Sequence, residues 1–255
     1  MSDAGTIPEW LPWKWRHRTS VLVLCVFAYF AVRFVEFALS LVFPDIEAAL
    51  GISTFTIGLA VTVSTITYAL AQLPSGALGD RFGERAVVLA AVGLTGLASV
   101  LLAASSSGLF VVLGMGLVGA VSGAYYSPAT SLLTDAFDDT CRAIGTHRLG
   151  AQAVGFTGPI VAVVGAQYDW RVVVVGAQYD WRVVVLLGTV VTIPVLAGFA
   201  LVVRPRQPAR PDASLREQVR PSRLVALLSR PRIVFTTIVA GFAQFADTAT
   251  FSFLP

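Results

Sequence analysis

Apolar residues in this chain come in long unbroken runs rather than in alternation. Runs near 20–43, 53–74, 86–105, 109–133, 149–166 and 183–203 each approach the roughly 20 residues an α-helix needs to cross a hydrocarbon core. A seventh opens near 233 and reaches Pro255. Continuous runs predict helices, because a membrane β-strand alternates lipid-facing with lumen-facing residues. Turn residues separate the runs, with Phe43-Pro44-Asp45 after the first and Ser105-Ser106-Ser107-Gly108 after the third. Between residues 204 and 231 the pattern changes to Arg and Pro with one short apolar stretch, Leu224 to Leu228. The expected fold is an all-α membrane protein. Residues 1–203 form a six-helix transmembrane bundle, and 204–231 a cytoplasmic linker with a short surface helix. Residues 232–255 form a seventh transmembrane helix that is incomplete.

Composition agrees. Hydrophobic residues fill 56% of the chain, charged residues 13%, and mean hydropathy is +0.76, against about 25% charged in an ordinary soluble domain. The placement of charge sets the orientation. With the N-terminus in the cytoplasm, fifteen of the 18 basic residues fall in cytoplasmic segments, while the external loops hold only Arg171 and Arg182. The expected location is the plasma membrane, crossed several times, with lipid as a partner. A net charge of +3 gives no reason to expect nucleic acid. Trp10, Trp13, Trp15, Trp170 and Trp181 flank spans, where anchoring in the headgroup region is the expected role. Cys25 and Cys141 lack metal or redox spacing, so neither metal nor cofactor is expected. Residues 165–175, GAQYDWRVVVV, recur almost unchanged as 176–186; the unit is too short for a solenoid repeat and reads as a duplication within a loop.

Between the second and third runs stands GALGDRFGER, residues 76–85. Its glycines permit close backbone approach, and its charges lie at two helix ends, where dipoles or a partner helix can bind them. The stretch resembles the signature cytoplasmic loop of major facilitator superfamily transporters, Gly-x-Leu-(Ala/Gly)-Asp-Arg-x-Gly-(Arg/Lys)-(Arg/Lys). It matches at Gly76, Leu78, Gly79, Asp80, Arg81, Gly83 and Arg85 and departs at Glu84, where a basic residue is usual. TDAFDDTCRAIG, 134–145, is similar to the loop after that family's fourth helix, with Asp135 and Arg142 in place. GFTGP, 155–159, and the twice-seen YDWR resemble its fifth helix and the loop before its sixth. The resemblance implies a charge cluster of Asp80, Arg81, Asp135 and Arg142 that steadies the outward-open state. It further implies a solute path between two six-helix halves, of which this chain carries the first. The arginine often found in the family's fourth helix is replaced by Met115 or Gly116. Gly114, Gly116, Gly119 and Gly123 on that helix read as packing residues.

Ionisable residues inside a span are costly and therefore informative. Tyr29, Arg33, Glu36 and Ser40 share one face of the first span, and Arg33 and Glu36 are spaced to pair. Either the pair packs the bundle or the stripe faces a water-filled path. The resemblance favours the path, because the family's first helix lines the central cavity. Gln72, Tyr125, Tyr126, Gln244 and Asp247 are weaker candidates for the same path. No catalytic residue is expected: GALGD lacks the first glycine of intramembrane aspartyl proteases, and GAVSG lacks rhomboid serine spacing. The expected function is secondary transport of a small solute, coupled to a proton or a sodium ion, as part of a twelve-helix transporter. The alternative is a remnant that inserts or associates without transporting.

Overall fold

The computed structural model describes residues 12–157, 181–205 and 207–212, with side chains from Arg18 onward, and scattered positions from 215 to 242. Its helices are α1 (Pro12–Leu41), α2 (Phe43–Leu50), α3 (Thr54–Phe82), α4 (Glu84–Ala103), α5 (Gly108–Ala136) and α6 (Thr140–Ala153). A 3-10 turn at Val154–Phe156 follows α6, and α7 spans Trp181–Val202. Among the described residues, five helices are long and apolar enough to cross a membrane: α1 from Arg18 onward, α3, α4, α5 and α7. The expected fifth span begins within α6 and continues outside the described residues, as do residues 165–180 of the tandem repeat and the linker helix at 224–228. The chain forms two compact units, Met1–Pro211 and Asp212–Pro255. In the second unit, the amides of Ile233 and Val234 bond the Arg230 carbonyl and start a helical turn.

Local sequence explains the breaks. Gly51 closes α2 in the left-handed region at φ 62°, where a side chain would be strained. The Ser53 hydroxyl caps α3 by accepting from the Thr56 amide, and the Asp139 carboxylate caps α6 by accepting from the Arg142 amide. Helices outrun the hydropathy windows: α3 continues eight residues past the expected boundary at 74 and ends only at Phe82. Helical hydrogen bonds do not require apolar side chains, so the element continues past the end of the apolar run.

Helix α3 lies along α5, α4 packs on α5 and α7, and α1 packs on α6 and α7. Two apolar clusters stack along α1. One gathers Cys25, Ala28 and Val32 with Val88, Leu133 and Phe199; the other gathers Val35 and Leu39 with Ala98, Val111, Val118 and Val185. Trp181 belongs to the second cluster at 3% exposure, which corrects its reading as an interfacial anchor. Its ring is covered by the bundle and by the Arg182 guanidinium, 4.6 Å from the ring centroid. Leu97, Leu113 and Ile193 face outward, as lipid contact requires. The α5 glycines pack as expected. Gly116, Gly119 and Gly123 touch α3 and Gly114 touches α4, and the Thr67 hydroxyl reaches across from α3 to the Gly116 carbonyl at 2.8 Å.

Candidate functional site

The polar stripe of α1 is the backbone of the site. Arg33 and Glu36, one turn apart, form an ion pair with each side chain partly exposed. The other Glu36 oxygen accepts from the Ser122 hydroxyl of α5 at 2.8 Å, and the Arg33 guanidinium sits 5.8 Å from the Tyr68 ring centroid of α3. Three helices therefore hold one charge pair, and the pair is internally compensated. Ser40 does not join it; its hydroxyl is exposed and bonds the Phe37 carbonyl of its own helix.

One turn before Arg33, Tyr29 enters an aromatic group. Its ring stacks on Tyr125 at 5.7 Å and on His147 of α6 at 4.9 Å, and is tilted against Tyr126 at 5.5 Å. His147 in turn lies 5.8 Å from both Tyr125 and Tyr126. The Tyr125 hydroxyl is fully buried; it donates to the Cys25 carbonyl at 2.7 Å and lies 3.0 Å from His147 Nε2. Of the residues expected from sequence, the structure thus brings together Tyr29, Arg33, Glu36, Tyr125 and Tyr126. Gln72 is half-buried on α3, one turn beyond Tyr68. Gln244 and Asp247 lie outside the described residues.

Tyr68, Ser122 and His147 join the group without having been expected. His147 was hidden by a span boundary drawn at 149, where the apolar run starts, whereas α6 already begins at Thr140. Its scarcity was the available signal: the chain has two histidines.

The glycine-rich motif occupies the far end of α3 and the start of α4, and its turn is a single residue, Gly83, at φ 87°. The other motif glycines serve close approach to α5: a Cβ on Gly76 would stand 2.9 Å from Ser127 Oγ, and one on Gly79 3.3 Å from Pro128. Arg85 donates to the Ala200 carbonyl at 2.8 Å, at the end of α7 where carbonyls lack helical partners. Glu84, the departure from the expected motif, is buried and accepts from the Ser131 hydroxyl of α5 at 3.3 Å. The Asp80 carbonyl accepts from the Arg210 amide at 2.8 Å, so the chain beyond α7 folds back onto this loop. Arg81 lies over the ring of Phe82, and both Asp135 and Arg142 are exposed.

The family model of the Major Facilitator Superfamily matches residues 25–255. A protein of Cupriavidus necator named as a probable sulfoacetate transporter, SauU, is 28% identical over 163 residues, covering 62% of this chain and 38% of its own. An uncharacterized transporter of Bacillus subtilis, YybO, is 28% identical over 139 residues, covering 53% and 32%. The chain thus matches about a third of the length of these relatives. Among solved structures, a bacterial homologue of the human lysosomal transporter Spinster superposes with a TM-score of 0.63 at 18% identity, covering 80% of this chain and 45% of that one. A bacterial homologue of the human drug peptide transporters PepT1 and PepT2 gives 0.59 at 16% identity, covering 92% and 53%.

Proposed function

The chain belongs to the major facilitator superfamily, and from that premise we propose that it forms the first half of a secondary transporter. In this reading a small solute binds at the Tyr29–Arg33–Glu36 face and crosses as two helical halves rock about it. The observation that carries the reading is the compensated charge pair. A lone charge at the centre of a span costs about 2.5–3.5 kcal/mol on insertion scales. Here Arg33, Glu36 and Ser122 satisfy one another across α1 and α5 while both charged side chains keep open surface. Helix α3 also leaves Phe55, Leu59, Ile66, Leu70 and Leu73 exposed, a surface suited to a second half.

Arg33 points to a small organic anion as the solute. An incoming carboxylate or sulfonate can take over the guanidinium donors that Glu36 now accepts. The name of the Cupriavidus relative, a protein only 28% identical, is consistent with this class. Asp80, Arg81, Asp135 and Arg142 act at the cytoplasmic end in this reading. Proteoliposomes filled with radiolabelled sulfoacetate provide the test. Residues 1–255 alone should insert but show no flux; a chimera carrying the second half of a full-length family member should show it. Comparable flux from the short chain would overturn the two-half mechanism and indicate a working homodimer. Silence from both would favour the non-transporting remnant.

The orientation is checked separately. Single cysteines at positions 106 and 214 of a cysteine-free chain should label from opposite sides of the membrane, with 214 inside. If an impermeant reagent outside intact cells reached both, a cytoplasmic N-terminus and linker would be ruled out together.

A further inference from the structure

The hydrogen bonds around His147 determine which of its nitrogens carries the proton. The Cys25 carbonyl can only accept, so the single hydroxyl proton of Tyr125 is committed to it. His147 Nε2, 3.0 Å from the same oxygen, must therefore be the donor of that second bond. The neutral ring is the Nε2–H tautomer, and its Nδ1 is left as a bare acceptor. That atom is buried and, among the described residues, has no hydrogen-bond partner. An unsatisfied buried acceptor is uncommon, and where one occurs a functional cause is worth seeking.

We propose that His147 is a proton-binding site inside the bundle, taking up one proton at Nδ1 and releasing it again as access to the site changes. The step is a simple transfer: a hydronium ion gives its proton to the Nδ1 lone pair and leaves as water, Nε2–H stays on Tyr125, and the imidazole becomes imidazolium. The surroundings suit a cation that comes and goes. From α1, Tyr29 presents its ring face at 4.9 Å and Cys25 its carbonyl; from α5 come Tyr125 and Tyr126, each 5.8 Å away. Aromatic faces attract a cation. No carboxylate is paired with the ring among the described residues, so nothing holds the proton permanently. Arg148 follows on α6, and Arg33 lies one turn beyond Tyr29 with its charge taken up by Glu36. Burial of the ring and then the charge of Arg148 favour release, and the aromatic faces favour uptake. On the transport reading above, this makes the proton the coupling ion, and a proton on His147 and an anion at Arg33 favour each other.

The test reads the ring itself and needs no transport. Only His17 and His147 are present, so a His17→Gln chain labelled with 15N-histidine in lipid nanodiscs gives one ring signal. At neutral pH that ring should be the Nε2–H tautomer. On acidification it should take up about one proton per chain at Nδ1 while the helical circular dichroism is unchanged. Tyr125→Phe, which removes the acceptor for Nε2–H, should turn the single tautomer into a mixture. An Nδ1–H ring at neutral pH in the chain that keeps Tyr125 would overturn the proposal. So would a ring that stays neutral until the helical signal is lost; neither result depends on whether Tyr125→Phe folds. Absence of sulfoacetate flux from the chimera alongside a titrating His147 would discard the transport reading and leave the proton site standing.

Discussion

Glu36→Ala is expected to damage the bundle more than Arg33→Ala, and the double substitution less than the two losses added together. Breaking a buried ion pair by removing one partner commonly costs about 3–5 kcal/mol, because the other charge is stranded. The two strandings differ. Without Arg33, Glu36 still accepts from Ser122. Without Glu36, Arg33 cannot lose its proton and, among the described residues, keeps the Tyr68 ring face. The open surface of both side chains tempers the magnitude, so each single loss should fall near the lower end, about 3 kcal/mol. Unfolding of the detergent-solubilised chain in a denaturing-detergent titration measures all three variants. Additive losses would mean that the two side chains act independently.

Residues larger than glycine at 119 or 123 are expected to separate α3 from α5 altogether. A Cβ at Gly119 would stand 2.1 Å from the Ser64 carbonyl oxygen, and one at Gly123 2.3 Å from that of Tyr68. Overpacking against side chains usually costs about 1–3 kcal/mol, because rotamers adjust. Here the obstacle is the backbone of a helix, which cannot give way without moving as a whole. Gly119→Val and Gly123→Leu should therefore exceed that range, break the Thr67-to-Gly116 bond and pull Tyr68 away from Arg33. Gly145→Ala supplies the contrast. Among the described residues outside its own helix, nothing lies within 4 Å of its added Cβ, and alanine in a helix interior should stabilise by up to about 1 kcal/mol. The same detergent titration should rank the three variants. A Gly119→Val chain as stable as the parent would refute the α3–α5 crossing.

Much of the architecture is written locally. Whether a segment spans the bilayer depends on the apolarity of its own residues, and so the first four runs and the sixth reappear as α1, α3, α4, α5 and α7. Turn and cap positions are equally local: Ser53, Gly83 and Asp139 act on amides or dihedrals within a few residues of themselves. The motif at 76–85 led to the family for the same reason, being a contiguous stretch. The Arg33–Glu36 pair was legible because helix geometry alone brings i and i+3 together. The partners from other helices were not legible. Ser122 lies 86 positions from Glu36, and the Tyr125 hydroxyl 100 positions from the Cys25 carbonyl it bonds. No period or hydropathy window relates residues so far apart. Glu84 read as a departure from a motif, with nothing to show that α5 covers it, and Trp181 as an anchor until the second apolar cluster enclosed it. His147 stood in what read as a polar loop and became the centre of an aromatic group only when α1, α5 and α6 met. The sequence alone determined which segments enter the membrane, since transfer from water to lipid is a property of each segment. Which polar side chains face one another inside was decided by the order in which the helices pack, and that exists only in three dimensions.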